Sequence, residues 1–142
     1  MMRFNFPTAA TAIAAILLCA GTAAQAETTV FSAELTGAAS VPPIDSAGTG
    51  TVEVTLDTEA KTVAWVVTTE GLSGEPTASH IHGPASATEA AGPVIDTMAK
   101  MEGNAPITDE QIADLTAGMY YYNVHTEQYP DGEVRGQLMI EE

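Results

Sequence analysis

The sequence predicts an all-β domain, a Greek-key β-sandwich of about seven to eight antiparallel strands with one short helix near 108–117. Three observations lead there. Apolar and polar residues alternate with period two, most cleanly in Thr51–Leu56, where Val52, Val54 and Leu56 face one way and Thr51, Glu53 and Thr55 the other. Clusters of glycine, proline and aspartate break these runs at short intervals. Only one segment carries the start signal of a helix.

In chain order, Thr28 to Leu35 reads as the first strand, and the turn-rich stretch Thr36 to Gly50 ends it. Within that stretch Val41-Pro42-Pro43 cannot continue a central ladder, because proline donates no hydrogen bond. Thr51–Leu56 and Lys61–Thr69 form a hairpin across the turn Asp57–Ala60, with Val63, Trp65 and Val67 on the core face. Ala78 to His82 is a further strand, bounded by Gly74 and Pro76 before it and by Gly83-Pro84 after it. A low-complexity loop, Ala85 to Gly92, leads to a strand expected over Pro93–Met101. Thr108-Asp109-Glu110-Gln111 is a capping box, Ile107 and Ile112 fit a hydrophobic staple, and Gly118 is placed to end the helix. Met119–Thr126 and Glu133–Ile140 are the last strands, joined by Glu127–Gly132 with its Pro130-Asp131-Gly132 turn.

The first residues are read apart from the fold. Arg3 precedes an apolar run, Thr8 to Ala20, and Ala24-Gln25-Ala26 has the small-x-small form of a cleavage site. Residues 1–26 therefore read as a secretory signal peptide, cleaved after Ala26, with residues 27–142 as one domain that is exported, to the periplasm or beyond the cell. The apolar run is shorter than the roughly 20 residues a membrane span needs, so no span is expected in the mature form. Cys19 leaves with the leader, which removes disulfide, thiol and cysteine–zinc chemistry from the domain.

Charge narrows the partners. The chain holds 19 acidic residues against 4 basic ones, a net charge of −15. Nucleic acid and anionic lipid both demand cations and are excluded. A metal ion, or another exported or envelope protein, fits better. There is no Gly-x-Ser-x-Gly elbow, no phosphate loop and no cysteine nucleophile in the domain, so the chain reads as a binding module rather than an enzyme.

The chemistry that remains is imidazole. The three histidines occur in two motifs, His80-Ile81-His82 and Asn123-Val124-His125. Residues two apart on a strand share a face, so His80 and His82 stand side by side and away from a core-facing Ile81. With Val124 inward, Tyr121, Asn123 and His125 point outward as well. If their strands are neighbours, about 4.8 Å apart, three nitrogens can converge on one ion. Imidazoles without thiolate suit copper or zinc, and copper leads on intrinsic affinity. Glu127 or Glu133 could fill a fourth position, with Asn123 and Arg135 behind the ligands. Arg135 is expected to tie a carboxylate such as Glu133 or Asp131, or loop carbonyls. The alternative is that these histidines only hydrogen-bond backbone and carboxylates, as parts of a structural or adhesive envelope or matrix domain.

These residues also carry a resemblance. Glu34–Pro43 (ELTGAASVPP), Ala47–Gly50 (AGTG), Ala78–Ala85 (ASHIHGPA), Tyr122–Thr126 (YNVHT) and Pro130–Gln137 (PDGEVRGQ) resemble the CHRD, or chordin-type, domain in content and order. That resemblance implies an all-β sandwich of the immunoglobulin or superoxide-dismutase kind in an exported bacterial single-domain protein. A second likeness is to the copper site of copper-zinc superoxide dismutases, which use a His-x-His pair, a later Val-His and an arginine near the last strand. His80-Ile81-His82, Val124-His125 and Arg135 follow that order. A bridging histidine, a zinc loop and a cysteine pair are missing, which places a dismutase-like redox enzyme behind the binding module.

Overall fold

The computed structural model describes residues 27–142, so the expected signal peptide lies outside the described residues. Nine strands and one α-helix follow in order, with a single 3-10 turn at Gly37–Ala39 after the first strand: β1 (Thr28–Thr36), β2 (Thr49–Asp57), β3 (Thr62–Glu70), β4 (Pro76–His82), β5 (Pro93–Asp96), β6 (Glu102–Pro106), α1 (Asp109–Thr116), β7 (Tyr121–Thr126), β8 (Val134–Gln137) and β9 (Met139–Ile140). The all-β class with one short helix is the one the alternation predicts. Pairing runs antiparallel through one sheet in the order β5-β4-β7-β8-β1-β2-β3-β6, with β9 added to β1. The two layers of the sandwich are thus arms of one sheet curled into a nearly closed barrel. A single core cluster draws on both arms, from Val63 and Trp65 on β3 to Ile81 on β4 and Tyr122 and Val124 on β7.

The alternation in β2 and β3 is realised residue for residue. Val52, Val54, Leu56, Val63, Trp65 and Val67 are buried, while Thr51, Glu53, Ala64 and Val66 are exposed. Trp65 also donates its indole N–H to the Lys100 carbonyl at 3.1 Å, satisfying its one polar atom. Opposite it stands Gly103, where a Cβ would lie 2.5 Å from the indole ring.

Two strands are shorter than the sequence predicts. The strand expected over Pro93–Met101 stops at Asp96. Asp96 Oδ1 accepts the Met98 N–H at 2.7 Å, and Met98 and Ala99 take left-handed backbone angles, which no strand tolerates. The bend carries the chain from one end of the sheet to the other: Thr97 N–H still bonds Ser79 on β4, whereas the Met101 carbonyl already accepts from Val67 on β3. Here the barrel comes closest to closing. Likewise Glu133–Ile140 divides at Leu138, whose N–H turns to the Tyr120 carbonyl while Met139 and Ile140 pair with β1.

Helix α1 is as its signals require. Gln111 N–H bonds the Thr108 hydroxyl at 3.2 Å and Thr108 N–H bonds the Gln111 side chain at 3.0 Å. Leu115 is buried and Ile112 partly so, against the core. No helix among the described residues is long and apolar enough to cross a membrane.

Candidate metal centre

β4 pairs with β7, in a register that sets Ala78 opposite His125, His80 opposite Asn123 and His82 opposite Tyr121. Alternation sends Ser79, Ile81, Tyr122 and Val124 to the inside, where Ser79, Thr97 and Tyr122 form a buried chain of hydroxyls. The opposite face collects His80, His82, Tyr121, Asn123 and His125. One nitrogen from each of the three histidines lies within 4.8 Å of the others.

That outer face is roofed rather than wet. Every residue of β7 is buried, on both sides of the strand. The roof is two loops, Ala85–Gly92 and Glu127–Gly132. His82 Nδ1 donates to the Ala91 carbonyl at 2.9 Å, and the Tyr121 hydroxyl bonds both the N–H and the carbonyl of Ala91. Gln137 donates to the Ala85 carbonyl, and Arg135 to those of Ser86 and Glu89. On the other side His125 Nδ1 donates to the Pro130 carbonyl at 2.8 Å and Asn123 to that of Asp131 at 3.2 Å. Gly132 permits this approach, with φ of 117° and an Asn123 amide 2.3 Å from where its Cβ would stand.

These contacts fix the tautomers. A carbonyl only accepts, so Nδ1 carries a proton in His82 and in His125, and in the neutral ring Nε2 of each is a bare lone pair. His80 Nδ1 lies 3.1 Å from His125 Nε2, and His80 Nε2 lies 3.8 Å from the Asp96 carboxylate. His82 Nε2 is buried and has no hydrogen-bond partner among the described residues. Such an atom is costly to bury unless something fills its lone pair.

Electrostatics favour the neutral ring in His80 and His82. Burial lowers the pKa of His80 below its ordinary value of 6.5, and His125 lowers it further against the opposing pull of Asp96. Burial lowers His82 too; the Ala91 carbonyl resists, and His80, His125 and Arg135 add to the lowering. Neutral imidazole is the form that ligates.

The other residues singled out by the sequence divide. Asn123 and Arg135 lie on this face, Arg135 with its guanidinium carbon 3.5 Å from the centre of the Tyr121 ring. Tyr121 in turn stacks on His82, centroids 4.9 Å apart. Of the two bonds expected for Arg135, the structure has the one to loop carbonyls and, among the described residues, none to a carboxylate. Glu133 is not beside the histidines. It turns to Thr126, which shares the face of Val124, and accepts from Ser46, Ser73 and Thr126 with both oxygens. Glu127 is exposed and lies with Ser73, Glu75 and Thr77. Neither carboxylate belongs to the group of converging donors. Tyr121 and Gln137 were not among the site residues that sequence reasoning chose. The signal for Tyr121 was its parity with Asn123 and His125; Gln137 had none.

Against known proteins, the model of the CHRD domain matches residues 31–138, nearly the whole barrel. No curated protein and no solved structure matches the chain.

Proposed function

The chain belongs to the CHRD domain family, and from that premise we propose that it is an exported binding module whose function is to hold one copper or zinc ion between His80, His82 and His125. One observation carries the reading: an imidazole nitrogen from each of the three histidines converges within 4.8 Å, and His82 Nε2 is buried without a partner among the described residues. Around a tetrahedral ion with bonds of 2.0–2.1 Å, neighbouring nitrogens sit about 3.3 Å apart, and no two can exceed about 4.1 Å. The His80–His125 separation of 3.1 Å already suits this. A separation of 4.8 Å has to shrink by about 1.5 Å to reach the tetrahedral spacing, within reach of a side-chain rotation for the partly exposed His80.

Each ring has its second nitrogen engaged: His82 at Ala91, His125 at Pro130, and His80 near Asp96. Such outer partners orient ligating imidazoles and raise their basicity. Ligation by His80 Nδ1 requires its proton to move to Nε2, where the Asp96 carboxylate stands to receive it. Copper is favoured over zinc by intrinsic affinity. The ion would supply a Lewis-acid or one-electron centre. The dismutase layout rests on two bridged metals, and the described residues hold one group of three donors.

A purely structural role has its own support, since His82 and His125 both clasp loop carbonyls. Asparagine separates the two. Its amide N–H can occupy the place of Nδ1, but it has no atom at Nε2. Titration of the purified protein with Cu(II) and Zn(II) should give one site per chain. His82→Asn should keep the fold and weaken binding at least about a hundredfold, more than the loss of an outer partner costs. Equal binding by the parent and His82→Asn would overturn the metal reading.

A further inference from the structure

Against the histidine face lies a cleft of about 500 Å³ whose lining includes Arg135, Asn123, Tyr121 and His82. Its walls come from the 40–44 segment, with Val41, Pro42 and Ile44, and from the Gln128–Gly132 turn. Arg135 is 3% exposed. Its Nη2 donates to the Ser86 and Glu89 carbonyls, and no other bond from the guanidinium to the described residues is formed. No carboxylate among the described residues lies within ion-pair distance of it.

This is anomalous for the composition. With 19 acids to 4 bases, a buried cation could easily have been given an internal counter-charge. A desolvated charge without one is expensive, and stacking on Tyr121 recovers only part of that cost. Both protons of Nη2 are engaged by the Ser86 and Glu89 carbonyls, which leaves Nε–H and the Nη1 N–H groups without partners among the described residues, on a guanidinium held against the Tyr121 ring and lining an open cavity.

We propose that this cleft binds a small organic monocarboxylate, its carboxylate seated on Arg135 and its apolar body lying along Val41, Pro42 and Ile44. The size excludes a bare inorganic anion as the designed occupant, since a water-sized guest fills only about 30 Å³ and organic ligands use about 300–1,000 Å³. The exposed Asp131 on the lining opposes a second negative charge. The inference does not depend on a metal, because Arg135 is charged and the cleft is formed with or without one.

Phenylacetate serves as the probe, titrated into the purified full chain and followed by calorimetry and by the Arg135 side-chain N–H resonance. Saturable one-to-one binding that moves that resonance is expected, both after treatment with chelator and with zinc present. Phenylacetamide should bind at least about tenfold more weakly, for want of charge-assisted hydrogen bonds. Arg135→Lys, which keeps the charge but loses the planar donors held against Tyr121, should weaken phenylacetate by a similar factor. Because a change at Arg135 can also loosen the loop it holds, Ala90→Trp provides the second variant: Ala90 is an exposed lining residue, and the indole would occupy the cleft and abolish binding. No binding by the folded protein would overturn the proposal. So would equal affinity for the amide, unchanged binding in Ala90→Trp, or binding only when zinc is present, which would assign the carboxylate to the metal rather than to Arg135.

Discussion

Glu133 offers a sharp test of how this barrel end is held and of which carboxylates belong to the site. It is 1% exposed, and four donors converge on it: Ser46 Oγ at 2.7 Å and Ser73 N–H at 2.9 Å on one oxygen, Ser73 Oγ and Thr126 Oγ1 at 2.7 Å each on the other. Burial, the largest single influence, raises its pKa, but the four hydrogen bonds together outweigh it and leave the carboxyl below its ordinary value of 4.5. Glu133→Gln keeps the shape and one acceptor oxygen. The hydroxyls can rotate to accept from the new amide, so the loss is confined to charge assistance, about 2 kcal/mol. Glu133→Ala strands the Ser73 N–H as well and leaves a void, for about 3–4 kcal/mol. For a domain of this size 2 kcal/mol corresponds to a fall of about 8 °C in Tm.

The pH dependence identifies the source of that difference. A depressed carboxyl pKa contributes stability that is present above the unfolded value, near 4.5, and is lost as pH falls through the folded value. The gap between the parent and Glu133→Gln in urea unfolding should therefore be full at pH 7 and shrink below about pH 4.5, other acids cancelling because both proteins share them. Copper and zinc affinity should be unchanged in Glu133→Gln. A gap that stays constant from pH 7 to 3 would refute the ionised network, and a loss of metal affinity would return Glu133 to the site.

Two further outcomes concern the histidine face. In Gly132→Ala a Cβ meets the Asn123 amide at 2.3 Å on a backbone with φ of 117°, so the turn must move and take the Pro130 carbonyl off His125. The expected result is about 1–3 kcal/mol lost in urea unfolding and about tenfold weaker metal binding; metal binding at parental strength would separate the turn from the site. His80 and His82, both with pKa lowered from 6.5, leave the unfolded chain binding more protons in the window just below that pH. Metal-free stability should thus be fully present above pH 6.5 and decline as pH falls through the window, which urea midpoints between pH 7 and 5 would show; midpoints rising toward acid would contradict it.

How much of this was legible depended on the range over which each feature is decided. Strands β2 and β3 were readable because one of their faces is solvated, so the alternation had contrast. The shared face of His80, His82 and His125 followed from parity alone, with Ile81 and Val124 as the inward references. The bend at Met98 and Ala99 was not readable, because neither residue favours the left-handed conformation and the chain accepts it only to cross between sheet edges. The partners of Glu133 were hidden for another reason. Ser46 and Ser73 lie 87 and 60 residues away, and no local pattern announces them. Nor could acidic composition reveal that Arg135 would be left without a carboxylate.

The histidine face also lets a structural and a functional reading of these side chains hold together. An antiparallel sheet ordinarily leaves one face to water, yet here two loops cover it and bury β7 on both sides. Loop backbone brought down onto a sheet needs donors for its carbonyls, and none can come from the sheet ladder, which is already paired. His82 and His125 supply them with Nδ1, alongside Tyr121, Arg135 and Gln137. Serine or asparagine would have done so as well, with no atom at the Nε2 position. Imidazole has a second nitrogen, and the same bond that fastens the loop forces that nitrogen to be a lone pair directed away from it. Fastening the roof and arming the site are therefore one interaction seen from the two sides of a ring. Removing the Nδ1 contact should loosen a loop, while removing the Nε2 lone pair alone should leave the loop closed over the proposed centre with one ligand fewer.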